Sequence, residues 1–460
     1  MPAAPSARVR GEDALGTVAV AVWALAAAVV LVLLGLWQDN GYWEYSDGVY
    51  ALTARLVADG GDLYGEIAAA QPPPLYLAGA AVLSVSDTLT ALRIAMAAVE
   101  LVTSGLVLVA VWRLTGARWA AVVAALLALV TPWALREHAQ LLPETFAAPL
   151  LLGAALAASR ARTALLAGVL AALATAFKLA FGLPALALLL AAASRAVRLR
   201  ALLAFVATGI VLVALSLALF GDSVLDGAVR AQRESGLAGL SYVGGLWAQG
   251  AWNLLPLLVC AALAWPLRAR IGDPDLQRTL AAGALGALLL FLTLLKTGSY
   301  LTLVVVVEPL LLCLAAAGVV AAVRPVADAQ QVGSSPPAAG GGDAARFGSA
   351  PLAALAAVAI LFGVLQVGSL LVAPDDRGIF TRPLAASGPQ RQLTPSEVDV
   401  AVAAIRACPP QRATSGPPFL AFAAGRRIAG DQPDQFILAH AAVLARFQAE
   451  ADADQPRCPG

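Results

Sequence analysis

The chain has 460 residues, 60% of them hydrophobic and 13% charged, with a formal net charge of +1 and a mean hydropathy of +0.80. So much apolar surface excludes an ordinary water-soluble domain and indicates an all-α polytopic membrane protein. The balanced charge gives no basic nucleic-acid footprint, and two histidines cannot build a His-rich metal site.

The first apolar run covers 15–37, behind Arg8 and Arg10. It is too long for a signal-peptide core and reads as an uncleaved first span. Further runs of about 20 apolar residues, the length that crosses a hydrocarbon core, lie near 91–112, 118–135, 144–159, 163–178, 180–194, 200–220, 252–267, 279–295, 299–323 and 351–373. The expected architecture is therefore about 11 transmembrane helices. The connections bearing Arg113 and Arg118, Arg160 and Arg162, Arg195, Arg198 and Arg200, and Arg268, Arg270 and Arg278 are cytoplasmic by the positive-inside rule. The opposite connections, with Asp47, Asp59, Asp62, Glu66 and Asp87 and later Asp222, Asp226 and Glu234, then face outward. This places the N-terminus in the cytoplasm and the C-terminus outside. The Lys-poor composition, rich in Ala, Leu, Val and Arg, points to a GC-rich bacterial genome and so to a bacterial inner membrane.

The first outer loop, 38–90, is longer than a passive connection. Within it "GVYALTARLVADGG" places Val49, Leu52, Leu56 and Val57 near one helical face, and Gly60-Gly61 ends the period. That predicts an interfacial amphipathic helix, with Asp47 and Gly48 just before its first turn. Asp47 is then either a helix N-cap or a carboxylate that accepts a proton from an acceptor hydroxyl at the outer surface. "QPPPLY", 71–76, predicts an extended entry followed by a new helix.

The second outer loop, "PWALREHAQLLPETFAAP", crowds Arg136, Glu137, His138 and Glu144 at a span mouth, with Pro143 suited to a first helical position. These groups are interfacial anchors, or else Arg136 and His138 hold a phosphate and Glu144 supplies a second acid. Lys178 and Lys296 are isolated cations at the outer ends of apolar runs. They either snorkel to headgroups or neutralise a phosphate leaving group. Glu308 lies nine residues beyond Ser299, about 14 Å deeper along a helix. A carboxylate at that depth requires a partner or a wet cavity.

The Pro-, Gly- and Ser-rich stretch within 324–350 reads as a flexible cytoplasmic linker. Residues 1–373 then form the membrane domain and 374–460 a small extracytoplasmic tail domain. In the tail, Thr394 or Ser396 is positioned to cap an apolar helical period. Of the four cysteines, Cys260 and Cys313 sit in apolar runs, and Cys408 and Cys458 are expected to pair if the tail is exported. The sequence has no Walker phosphate loop, H-E-x-x-H pair or C-x-x-C pair.

Three stretches together resemble the membrane-embedded glycosyltransferases of the C-type fold, which use polyprenyl-phosphate sugars. Bacterial relatives of the protein mannosyltransferases and the aminoarabinose transferases are the nearest in pattern. The stretches are "SDGVYALTARLVADGGDLYGE" with "QPPPLY", "HAQLLPETFAAPLLL", and "LKTGSYLTLVVVVEPLLLCLAA". The resemblance spans roughly residues 15–323. It implies inverting transfer of a sugar from a polyprenyl-phosphate donor to a glycan, lipid or protein acceptor of the cell envelope. It makes Asp47 the catalytic base or an acceptor-orienting acid, and Lys178, Lys296 and Glu308 donor-side residues; Arg136 and His138 are further candidate phosphate-binding groups, and Glu144, Tyr50, Tyr64 and Tyr300 candidate supporting residues.

Two features depart from the pattern: many relatives carry two adjacent acids where this chain has Asp47-Gly48, and the tail has no counterpart in the best-known members. Some members of the fold use a divalent cation, for which no ligand set stands out here. The competing readings are a transporter or lipid flippase, since intramembrane Lys and Glu also mark transport paths, and a non-catalytic scaffold.

Overall fold

The computed structural model describes residues 7–38, 45–131, 133–134, 137, 139–323, 354, 357–365, 395–409, 412–414 and 417–454. The chain is a helical membrane protein. Among the described residues, five helices are long and apolar enough to cross a membrane: Leu89–Thr115, Arg195–Phe220, Leu240–Leu263, Pro274–Leu295 and Leu301–Val323. Thr17–Leu33, Arg118–Leu127, Pro143–Ala158, Ala161–Phe177 and Leu179–Leu190 are shorter apolar helices, so each predicted run up to 323 coincides with a helix. Of the run at 351–373, the helical stretch 357–365 lies against the bundle, with the Phe362 ring edge-on to Trp252 at 4.9 Å. The linker 324–350 falls outside the described residues.

Helix boundaries follow local chemistry. Helix α1 is Ala7–Gln38, and helix α2, Tyr45–Ala58, opens the first loop. Pro72 is extended (φ −60°, ψ 156°) and α3, Pro73–Leu83, begins with proline in its first turn, as the triple proline predicts. Helix α4, Leu89–Thr115, is capped by Thr88, whose side chain accepts the Ala91 N–H, and it stops at left-handed Gly116. Helix α5 is Arg118–Leu127, and α6, Pro143–Ala158, again starts on a proline. Helices α7, Ala164–Phe177, and α8, Gly182–Leu190, are separated at Lys178, which is extended (φ −157°, ψ 122°). Next come α9, Arg195–Phe220, α10, Leu240–Leu263, α11, Pro274–Leu289, and α12, Val304–Val323.

The bundle core is built from Ala, Leu and Val. Small residues let helices approach closely, as expected where lipid gives apolar side chains no reason to leave it. A Cβ at Gly168 of α7 would lie 2.1 Å from the Ala201 carbonyl of α9. The arginine-bearing connections gather at one end of the bundle. Arg113 reaches Asp273 (2.5 Å), the Ser159 hydroxyl (2.7 Å) and the Leu156 carbonyl (3.2 Å), and Arg278 donates to the Ala191 carbonyl (3.1 Å). The long first loop, Lys178, Lys296 and the tail share the other end. This grouping matches the alternation read from charge.

The tail comprises α13, Pro395–Ala407, α14, Pro418–Ala424, α15, Gln435–His440, and α16, Ala445–Ala453. Ser396 lies inside α13 rather than capping it, and Thr394 lies outside the described residues. The tail joins the first loop through two apolar clusters. Ala421, Phe422 and Ile428 pack with Val49, Leu52, Tyr64 and Tyr76, while Ile437, Leu438, Leu444 and Phe447 pack with Ala68, Ala70 and Ala231. Helix α2 is consequently buried from Asp47 to Ala54, and is not the exposed interfacial helix its amphipathic period suggested. It packs between α3 and α14.

Candidate active site

At the end of the bundle opposite the arginine-bearing connections, α2, the loop before α3, α6, the α7–α8 break, the α11–α12 connection and the tail surround one polar cavity. Its walls include Ser46, Tyr50, Glu144, Lys178, Lys296 and Asp434. The two lysines arrive by the same device. Each sits where a helix has ended and the backbone is extended, at Lys178 after α7 and at Lys296 after the 3₁₀ turn Leu290–Leu295. An interrupted span leaves a cation at the cavity while its apolar flanks stay packed.

Lys178 Nζ lies 2.7 Å from Glu144 Oε1, and the Thr302 hydroxyl donates to the same oxygen at 3.2 Å. Glu144 is 1% exposed, so its charge is already answered by Lys178. Lys296 has no carboxylate partner among the described residues; its ammonium donates to Gln232 Oε1 at 2.6 Å. Burial, with a further push from Lys178, lowers its pKa to about 8 despite the opposing pull of Asp434. Gln232 in turn donates to the Ala70 carbonyl at 2.6 Å, tying Lys296 to the first loop.

Tyr50 and Tyr300 line the cavity. Tyr64 lies behind it. Its hydroxyl donates to the Gln71 carbonyl at 2.5 Å, and the Tyr76 hydroxyl accepts the Gln71 N–H at 3.1 Å. Two buried tyrosines thus fix the backbone of Gln71, which borders the cavity. Burial pushes the Tyr50 and Tyr64 phenols up, so both remain protonated donors.

Asp47 requires a correction. It occupies the first turn of α2, not a position ahead of it, and it is 1% exposed. Arg93 of α4 grips both carboxylate oxygens, at 3.0 and 2.6 Å, and the Leu141 N–H donates to Oδ1 at 2.8 Å. Arg93 also donates to the Ala139 carbonyl at 2.9 Å. Asp47 does not line the cavity; its neighbour Ser46 does. Its carboxylate joins α2, α4 and the loop before α6. Gly48 meets the tail: a Cβ there would lie 2.5 Å from the Phe419 nitrogen.

Glu308 is also elsewhere. It accepts from the Thr131 hydroxyl at 2.5 Å and from the Trp133 N–H at 3.4 Å, in an inner cavity shared with Glu100 and Glu137. Its depth is compensated by hydrogen bonds, and it does not reach the lysines. Arg136 and His138 lie outside the described residues. Among the described residues, no three His, Cys, Asp or Glu side chains are grouped to hold a metal ion. Cys408 is disulfide-bonded and Cys260 and Cys313 are free and buried; Cys458 lies outside the described residues.

Arg93, Gln232 and Asp434 were not anticipated. Arg93 had a signal, a lone guanidinium one turn into an apolar span. Gln232 had none, and Asp434 in "DQPDQFILAH" reads simply as a cap for the helix after it.

The chain is a multi-pass membrane protein with interrupted apolar helices around a charged cavity at one end of the bundle, and its likeness to solved structures shows the C-type glycosyltransferase fold. Two solved structures share that fold across 93% of this chain and 88% of theirs: "ArnT from Cupriavidus metallidurans bound to Undecaprenyl phosphate" (TM-score 0.61, 15% identity) and the same protein in the apo state (TM-score 0.60, 16% identity). No family model matches the sequence, and no curated protein matches it.

Proposed function

We propose that this chain is an inverting glycosyltransferase that moves a sugar from a polyprenyl-phosphate donor to a cell-envelope acceptor on the extracytoplasmic side of a bacterial inner membrane. Lys296 carries the reading: a half-buried ammonium with no carboxylate partner among the described residues, facing a polar cavity beside Lys178. A departing lipid phosphate develops negative charge in the transition state, and a preplaced cation in a desolvated cavity stabilises that charge without reorganising. The ArnT structure of the same fold holds undecaprenyl phosphate, which supports a lipid phosphate as the ligand for this cavity. The gathering of Lys178, Lys296, Glu144 and Asp434 at one end of the bundle favours chemistry at a membrane surface over carriage through a midplane site.

The test is direct. Protein in lipid nanodiscs should bind undecaprenyl phosphate and release labelled sugar from a panel of farnesyl-phosphate hexoses and pentoses. Lys296→Ala should weaken lipid-phosphate binding at least tenfold, and Lys296→Arg should restore part of it. Unchanged binding in Lys296→Ala would remove the residue that carries the reading.

A further inference from the structure

The tail contributes a cavity wall that the membrane helices lack. Asp434 stands beside Lys296, Tyr45 and Tyr300 in the lining. Its position is set by contacts on both sides in sequence. The Gln432 side chain is fully buried, accepting the Ala68 N–H at 2.8 Å and donating to the Glu66 carbonyl at 2.7 Å. The Phe436 N–H donates to the Tyr45 hydroxyl at 3.3 Å, and the Phe436 ring covers Gly298, where a Cβ would lie 2.3 Å from it. Farther along, the Val443 N–H donates to Glu234 at 2.9 Å and Arg446 donates to the Tyr64 carbonyl at 3.0 Å. Asp434 is therefore held on the cavity by polar contacts to three separate membrane-domain segments.

One oxygen, Oδ1, accepts the Ile437 N–H at 3.1 Å; no hydrogen bond engages Oδ2 among the described residues. The other carboxylates near the cavity are committed, Glu144 to Lys178 and Asp47 to Arg93. We propose that Asp434 is the catalytic base, supplied to the membrane-embedded cavity by the tail. This rests on the glycosyltransferase reading above and adds to it the group that activates the acceptor.

In the step, an acceptor hydroxyl oxygen attacks the anomeric carbon from the face opposite the phosphate. The new C–O bond forms as the C–O bond to phosphate breaks. The hydroxyl proton passes to Asp434 Oδ2, and the bonding pair leaves on the phosphate oxygen beside Lys296. Configuration inverts, and charge moves from carboxylate to phosphate without an external reductant or oxidant. Burial raises the Asp434 pKa to about 6, opposed by the Ile437 N–H and by Lys296, close to the working pH at which a base is most effective. The other titratable groups facing it are Lys296, Lys178, Glu144, Tyr45, Tyr50 and Tyr300.

The discriminating variant is Asp434→Asn, since asparagine caps a helix as well as aspartate does. With the farnesyl-phosphate sugar panel and full-length protein in nanodiscs, the expected result is a fall in kcat of about 100-fold or more. Undecaprenyl phosphate binding should stay within about twofold, a change of under half a kcal/mol. In the wild type, kcat should rise with pH through an apparent pKa near 6, and Asp434→Glu should keep a displaced acid limb. Wild-type turnover that survives in Asp434→Asn overturns the base assignment and leaves the glycosyltransferase reading standing. Loss of lipid-phosphate binding in step with kcat reduces Asp434 to a structural wall and also overturns it. No turnover by the wild type with any donor of the panel overturns both readings.

Discussion

The buried pair of Asp47 and Arg93 makes a sharp prediction. Asp47→Asn removes one charge from a buried pair and keeps a side-chain oxygen for the Leu141 N–H, so the loss falls on the Arg93 contacts. Removing one partner of a buried pair costs about 3–5 kcal/mol, and the 22% exposure of the Arg93 side chain moves the expectation to about 2–3 kcal/mol. Arg93→Met should cost a similar amount, and the double variant should cost less than the sum, with a coupling of about 1–3 kcal/mol. The assay is denaturant unfolding of the four proteins in one detergent, followed by turnover at a temperature where all are folded. Both single variants should lose activity in proportion, because each releases α2 from α4 and shifts Ser46 and Tyr50 at the cavity. Wild-type stability in Asp47→Asn with abolished turnover, beside an active Arg93→Met, would refute this reasoning and return Asp47 to the chemistry.

Three further outcomes follow from separate contacts. Gly48→Ala places a methyl group against the Phe419 backbone, and at about 1–3 kcal/mol for overpacking it should loosen the tail, seen as faster limited proteolysis between α13 and α16 in intact protein. The pKa of Lys296, lowered to about 8, means the unfolded chain holds one more proton than the folded chain between about pH 8 and pH 10.5; stability should rise with pH across that window while lipid-phosphate affinity falls. Lys296→Met should flatten both profiles. Non-reducing peptide mapping of exported protein should show Cys408 joined to Cys458, and Cys408→Ser should destabilise the tail by about 2–4 kcal/mol; a Cys458 thiol free in the mapping would disprove the pairing.

The membrane spans were legible because about 20 consecutive apolar residues have few other uses, and the bundle repeats their order. Lys178 and Lys296 were legible for a related reason: a lone cation inside an apolar run is expensive enough to signal a purpose. The partners of the acids were not. Arg93 is 46 residues from Asp47 in sequence, and no local period encodes which helix will cross behind α2. The amphipathic pattern of α2 was visible, but whether lipid or protein covers its apolar face depends on where α14 docks. Asp434 shows the limit most plainly. Its sequence context specifies a cap, and the same carboxylate becomes a cavity wall only through Gln432, some 360 residues from Glu66 and Ala68, which it bonds.

That bridge bears on how the protein is made. Gln432 and Asp434 are synthesised after the helix Leu301–Val323, yet the partners of Gln432, Glu66 and Ala68, stand in the first loop, among the earliest segments to be inserted. Contacts of such sequence separation form late, since the intervening chain must first be ordered. A partly synthesised chain thus already holds Lys178 and Lys296 but lacks Asp434 to complete the cavity. With Asp434 as the proposed base, docking of the tail would be the step that separates insertion into the bilayer from competence for chemistry.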